Sequence, residues 1–250
     1  MSLKETLRVF NPRVGRDNQI SREQWLEAAI GRIPVGSRLL DAGAGTQQYK
    51  RFCDHLDYVS QDFAQYDGQG DATALQTGDF DYGELDIVSD ITDIPEPNSS
   101  FDAIMCIEVL EHVPDPPAAL AELARLLKTD GTMIITAPFC SLTHFSPYHF
   151  STGFNRYWYE THLSLNHLEI EEITPNGNYF EYIAQEIKRI RPTSKSYTPS
   201  KPRLYEKLAM NVVNRMLHRF SQRDKGSSQL LCYGYHVFAR KLAENQVAAA

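Results

Sequence analysis

Cysteine is scarce in this chain of 250 residues, with only Cys53, Cys106, Cys140 and Cys232. None of them forms a CxxC pair, which argues against a zinc ribbon or a disulfide scaffold and fits a reducing compartment. No apolar run approaches the ~18 residues of a membrane span, and the first residues, MSLKETLRVF, lack a signal-peptide core, so a cytoplasmic protein is expected. Net positive charge is also missing. Lys and Arg number 25 against 32 Asp and Glu, a formal charge of −7, so nucleic acid is not an expected partner of the chain as a whole. A composition of 42% hydrophobic and 23% charged residues excludes disordered and fibrous classes and leaves one large globular domain as the simplest account. Apart from the alanine tail Ala248–Ala250, nothing is low in complexity and no repeat is visible.

The charge that is present is uneven. Between Lys188 and Lys225 there are eleven Lys or Arg residues against Glu206 and Asp224, a local excess of +9 that leaves −16 for the rest. This marks residues 179–228 as a basic helical insertion before the last strand, within a single α/β domain of 1–250, and within it Leu204, Leu208, Val212, Met216 and Phe220 recur at helical spacing. Such a helix could be a lid or a dimer contact with a solvated basic face, could rest on an anionic membrane, or could grip phosphates; its place between the last two strands favours the lid.

Patterning elsewhere alternates strands with helices. Helices are expected over 21–31, with Ser21 as N-cap, from about Thr46 to His55, and over Pro116–Leu127, where Leu120, Leu123, Ala124 and Leu127 share a face. Strands are expected at 38–41, 58–60, 85–89, 101–107, 132–137, 168–173 and 233–239. The alternation predicts an α/β fold: a Rossmann-like, seven-stranded, mostly parallel sheet with helices on both faces.

The first strand runs into Asp41-Ala42-Gly43-Ala44-Gly45, a carboxylate followed by two glycines. Such a turn lets backbone approach a ligand, and the following helix would offer free N–H groups. Asp62 ends the second strand, where a carboxylate can hold a ribose diol, and Asp90 with Ile91 ends the third, an acceptor and an apolar wall suited to an adenine. A dinucleotide fingerprint needs glycine at position 48, which is Gln48, and Asp41 would repel a pyrophosphate. A positively charged nucleoside fits better.

These residues resemble an ordered set of motifs. LLDAGAG, Asp62, SDITDIP, FDAIMCIEVLEHVPDP and LLKTDGTMIITAP are similar to the motifs of class I S-adenosylmethionine-dependent methyltransferases, over roughly residues 20–175 and the final strand. Gln47 departs from the pattern, since many members carry a third glycine there. The resemblance implies S-adenosylmethionine as cofactor, with Asp41, Ala42, Gly43 and Gly45 around its methionine part, Asp62 at the ribose, Asp90 and Ile91 at the adenine, and Ile107 among the contacts.

Methyl transfer from a sulfonium is a direct displacement, so alignment of the reactants dominates, and a base assists a hydroxyl acceptor. Base candidates are His144 and His149, in a stretch from Phe139 to Tyr159 that holds eight of the chain's 27 aromatic residues. The stretch resembles the acceptor-facing region of sugar, natural-product and lipid-quinone methyltransferases, which carry H-x-x-P after the fifth strand. Glu108, Glu111 and His112 would share a face on a helical turn and are competent for a divalent metal, with His144 or His149 completing the shell. The string ExxEH is similar to that of metal-dependent small-RNA 2′-O-methyltransferases and ubiquinone-pathway O-methyltransferases, but also occurs without a metal, and no metal is assigned. The expected function is transfer of a methyl group to a small-molecule acceptor, most readily at oxygen. The alternatives are a metal-assisted RNA 2′-O- or quinone-precursor enzyme, and a protein that binds the cofactor without turning it over. Residues 200–220 are the expected membrane or dimer contact.

Overall fold

The computed structural model describes residues 13–72 and 74–243; the expectations placed on the extreme N-terminus and on the alanine tail fall outside them. In chain order the elements are α1 (Asn18–Ile30), β1 (Arg38–Ala42), β2 (Asp57–Asp62), β3 (Ile87–Val88), β4 (Phe101–Ile107), α2 (Pro116–Leu126), β5 (Leu127–Pro138), α3 (Arg156–Leu165), β6 (Leu168–Asn176), α4 (Tyr179–Tyr197), α5 (Leu204–Ser221) and β7 (Gly234–Lys241). The seven strands form one sheet in the order β3-β2-β1-β4-β5-β7-β6. Pairings from β3 through to β5 are parallel, and β7 runs antiparallel to β5. This is the α/β fold that the alternating pattern predicts.

The chain divides into two compact units, one of residues 24–174 with 234–243 and one of residues 13–23 with 175–233. In the first, Leu26, Ala29 and Ile30 of α1 pack with Leu39, Ala103, Met105, Ile134 and Phe238 of the sheet, all buried. Parallel strands covered on both faces read as continuous apolar runs, as Ala103-Ile104-Met105-Cys106 does. Asp115 caps α2 by accepting the Ala118 N–H at 3.1 Å, and the prolines that follow it fall where no helical N–H is needed. Leu120, Leu123 and Ala124 are buried as their spacing requires. In the second unit, Leu217 of α5 packs with Val14 and Ala184 against Phe180, Ile183 and Ile187 of α4.

Four local expectations need correction. The first helix begins at Asn18, so Ser21 lies inside it and donates its N–H to the Asp17 carbonyl rather than capping it. No α-helix covers 46–55; only Lys50–Phe52 forms a single 3₁₀ turn. Gln47 is the cause, for it stands at φ 55°, where a right-handed helix cannot pass, and its side-chain amide bonds the carbonyls of Tyr82 and Glu84 at 2.8 Å each. The third strand shrinks to Ile87–Val88. Finally, the strand expected at 132–137 is longer, Leu127–Pro138, and takes in the dipeptide Asp130-Gly131. There the pairing with β4 skips between Phe101 and Ala103 and Asp130 takes φ 62°.

Candidate active site

The glycine turn after β1 is bonded to β2 rather than open to solvent. The N–H groups of Gly43 and Ala44 both donate to the Gln61 carbonyl, at 2.9 and 2.8 Å, and that of Gly45 donates to Asp62 Oδ2 at 2.9 Å. Free helix N–H groups, expected here, are therefore not what the turn offers, because the helix that would supply them does not form. Gly43 is required by space as well as by its φ of 74°: a Cβ there would lie 2.5 Å from a methyl of Val109. The turn thus seats directly against the residue that precedes the 3₁₀ turn Leu110–His112.

Asp62 is buried, and its second oxygen accepts the Ala64 N–H at 3.0 Å. A carboxylate has about four acceptor positions, so two N–H bonds leave room for a diol. Burial raises its pKa while the backbone N–H bonds oppose the rise. Asp41 lies deeper and accepts the Tyr58 hydroxyl at 2.6 Å. Burial pushes its pKa up to about 7, against the pull of the Tyr58 bond and with help from the Asp62 charge. A carboxyl raised from 3.8 holds a proton in the folded state that the unfolded chain releases. Its contribution to stability is complete below the unfolded value and is lost as pH rises through the folded one. Asp41 therefore contributes a fall in the stability of the ligand-free protein as pH rises from 4 to 7, against the rise contributed by His112, and Asp41→Asn is expected to shift the pH dependence of the melting temperature toward rising over that window; a pH dependence identical to the wild type in differential scanning fluorimetry contradicts the protonation assigned to Asp41.

Asp90 is exposed, and its Oδ1 accepts both the N–H and the hydroxyl of Thr92 at 2.8 Å, the ordinary geometry of an Asx turn. Ile91, Ile107 and Ala42 are buried. Sequence reasoning overlooked an aromatic group beside this turn. Phe80 would meet a Cβ on Gly45 at 3.3 Å, and its ring contacts Tyr66, Tyr82 and Phe145 at 5.2, 5.0 and 5.6 Å. Tyr66, Phe80 and Tyr82 come from the long loop between β2 and β3, which has no periodic pattern to betray them, while Phe145 reaches them from the loop after β5.

Beyond β4 and β5 the polar residues converge. Glu111 is buried, and its carbonyl accepts the N–H groups of Phe150 and Ser151 at 2.9 and 3.2 Å, which ties the loop after β5 to the turn after β4. His112 Nδ1 lies 2.5 Å from the Tyr148 carbonyl and His144 Nδ1 lies 2.8 Å from that of Leu142. A carbonyl only accepts, so each Nδ1 carries the hydrogen and each Nε2 presents its lone pair. Both Nε2 atoms approach Glu111 Oε1, at 3.7 and 4.0 Å. Burial, reinforced by the neighbouring histidines, pulls the pKa of His112 down to about 3 and that of His149 down as well. The rings of His144 and His149 are 4.9 Å apart. Ser141 bonds the Thr152 carbonyl at 3.0 Å and His149 Nε2 at 3.1 Å; with its one hydrogen on Thr152 it accepts from His149. His112, with its pKa held at about 3, is a poor proton acceptor, and His149 gives its Nε2 hydrogen to Ser141, which leaves His144, the more exposed of the two imidazoles beside Glu111, as the base candidate with a lone pair at Nε2.

Glu108 does not share a face with Glu111 and His112, as expected of a helical turn. It stands at φ 56° ahead of the 3₁₀ turn, and its carboxylate accepts the Thr136 hydroxyl at 2.9 Å. Its place near Glu111 and His112 is taken by His144, and these three each bring one ligand atom within 4.8 Å of the others. Of the aromatic stretch, Phe154 and Tyr159 are core residues, Tyr157 is exposed, and Phe145 reaches the site, its ring 4.9 Å from that of His112.

The model of the family described as "Methyltransferase domain" matches residues 16–191. The chain belongs to that family, the class I S-adenosylmethionine-dependent methyltransferases. A ubiquinone biosynthesis O-methyltransferase of Xanthomonas oryzae pv. oryzae is 51% identical over 41 residues, 16% of this chain and 17% of that one. A demethylmenaquinone methyltransferase of Renibacterium salmoninarum is 34% identical over 109 residues, 43% of each chain. The chain thus spans less than half the length of either relative. Among solved structures, geranyl diphosphate C-methyltransferase from Streptomyces coelicolor A3(2), in complex with Mg²⁺, geranyl diphosphate and S-adenosyl-L-homocysteine, superposes with a TM-score of 0.50 at 13% identity, over 90% of this chain and 79% of that one. At that identity the likeness is one of fold. Among the described residues no helix is long and apolar enough to cross a membrane.

Proposed function

We propose that this methyltransferase moves the methyl group of S-adenosylmethionine to a hydroxyl oxygen of a small-molecule acceptor. The observation that carries the choice of oxygen is the His144 imidazole, whose Nε2 lone pair is set by the Nδ1–H bond to Leu142 and lies beside a buried carboxylate. A hydroxyl must lose its proton as it attacks, and a neutral imidazole is suited to take it. In the step, the acceptor oxygen bonds the methyl carbon, the carbon–sulfur electrons stay on sulfur to leave S-adenosylhomocysteine, and the acceptor proton passes to His144 Nε2. Glu111 would stabilise the imidazolium so formed, while His149 and Ser141 brace the loop. The turn Asp41–Gly45 and Asp62 would hold the methionine and ribose parts. The similarity to the Xanthomonas oryzae O-methyltransferase supports the same atom.

A second reading rests on the group Glu111, His112 and His144. Two imidazole lone pairs and a carboxylate oxygen are a donor set that fits a divalent cation. A cation there would lower the pKa of an acceptor hydroxyl. The two readings part on chelation. Base catalysis at His144 predicts turnover indifferent to EDTA; turnover abolished by EDTA and restored by Mg²⁺ or Mn²⁺, in a radiolabelled methyl-transfer assay, assigns the group to a metal instead.

A further inference from the structure

Among the described residues, the two helices of the unit formed by 13–23 and 175–233 leave an exposed apolar face on α5. The inner side of α5 is spent on α4, through Leu217 against Ala184 and its neighbours and through Phe220 near Phe180, rings 5.5 Å apart. On the outer side Leu204, Leu208, Val212 and Met216 follow one another at four-residue intervals, with Tyr205 beside them, and the first three are 75%, 55% and 64% exposed. Isolated exposed aliphatic residues need no explanation, but a row along one helix does.

The surroundings of this row are strongly basic. Lys195, Lys201, Arg203, Lys207, Arg219 and Arg223 are all exposed, in a segment carrying +9. Its two acids, Glu206 and Asp224, are occupied by backbone, Glu206 accepting the Arg203 N–H and Asp224 those of Gly226 and Ser227. We propose that the outer face of α5 docks on an anionic lipid bilayer, its aliphatic row entering the headgroup boundary and its Lys and Arg residues meeting lipid phosphates. A second copy of this chain fits the face poorly. A two-fold contact through this face would bring two segments of charge +9 together. A nucleic acid would use the cations but not the aliphatic row, since its affinity rests on phosphates. The surface belongs to one unit and is independent of which acceptor the enzyme methylates.

The test is sedimentation of the whole protein with vesicles of phosphatidylcholine alone and of equal parts phosphatidylcholine and phosphatidylglycerol. The expected result is binding to the anionic vesicles only, weakened by high salt. Leu208→Ser with Val212→Ser should weaken it at least ~10-fold, since several methyl groups no longer enter the lipid. Lys201→Gln, Arg203→Gln and Lys207→Gln together should do the same by removing headgroup attraction. Because these residues are exposed, the circular dichroism melt should not move. Protein that stays in the supernatant overturns the proposal, as does undiminished vesicle binding by the Leu208/Val212 variant. So does a solution dimer that this variant splits, or binding to single-stranded RNA without binding to vesicles.

Discussion

Asp62→Ala is expected to weaken S-adenosylhomocysteine binding at least ~100-fold in isothermal titration calorimetry. The reasoning begins with bond type. A ribose diol on a carboxylate forms charge-assisted hydrogen bonds, worth about 1.5–3 kcal/mol each, so two of them account for ~3 kcal/mol or more. In the free protein the same carboxylate bonds Gly45 and Ala64, which shapes the turn that would receive the methionine part. Alanine removes both effects; Asp62→Asn keeps one acceptor oxygen and should recover part of the affinity. Full affinity in the alanine variant would mean that the ribose lies elsewhere.

The second large effect concerns the chemical step. His144→Ala is expected to lower kcat by ~10²–10⁴ while leaving S-adenosylhomocysteine affinity unchanged, the range that a positioned base supplies. The split matters because His144 stands on the loop after β5 and makes no contact with the turn after β1 in the hydrogen bonds that hold that turn. Loss of cofactor affinity along with kcat would show a merely structural histidine. His149→Ala should reduce kcat less, because its Nε2 is engaged with Ser141. Equal losses at the two positions would contradict the choice of His144.

The legible and illegible parts of this fold divide along physical lines. Buried strands announce themselves, and Phe101–Ile107 is found where its apolar run places it. The amphipathic α2 and the exposed-and-buried period of α5 are likewise readable, since helical spacing is a local property. By contrast, the helix expected after the glycine turn fails at one residue, Gln47, whose left-handed backbone is fixed by bonds to Tyr82 and Glu84, 35 and 37 positions away. Position 47 is the one where the motif this stretch resembles carries a third glycine, the residue for which a φ of 55° has no steric cost. Asp41, Gly43 and Asp62 were nameable because they end strands. Phe80 and Tyr82 were not, since only tertiary contact brings their loop to Gly45. The metal-competent group was half legible: Glu111 and His112 adjoin in sequence, whereas the exchange of Glu108 for His144 depends on how the loop after β5 folds back. The helical character of 179–228 was legible, but the bounds of α4 within it were not, because Pro192 interrupts its pattern near the C-terminal end.

The account turns on where the nucleoside lies. A crystal structure of the protein with S-adenosylhomocysteine measures this directly. The expected density has the ribose hydroxyls on the Asp62 carboxylate, the methionine part against Asp41–Gly45, and the sulfur aimed toward His144. Density for the nucleoside away from Asp62, or an empty crevice beside a saturating ligand, contradicts it.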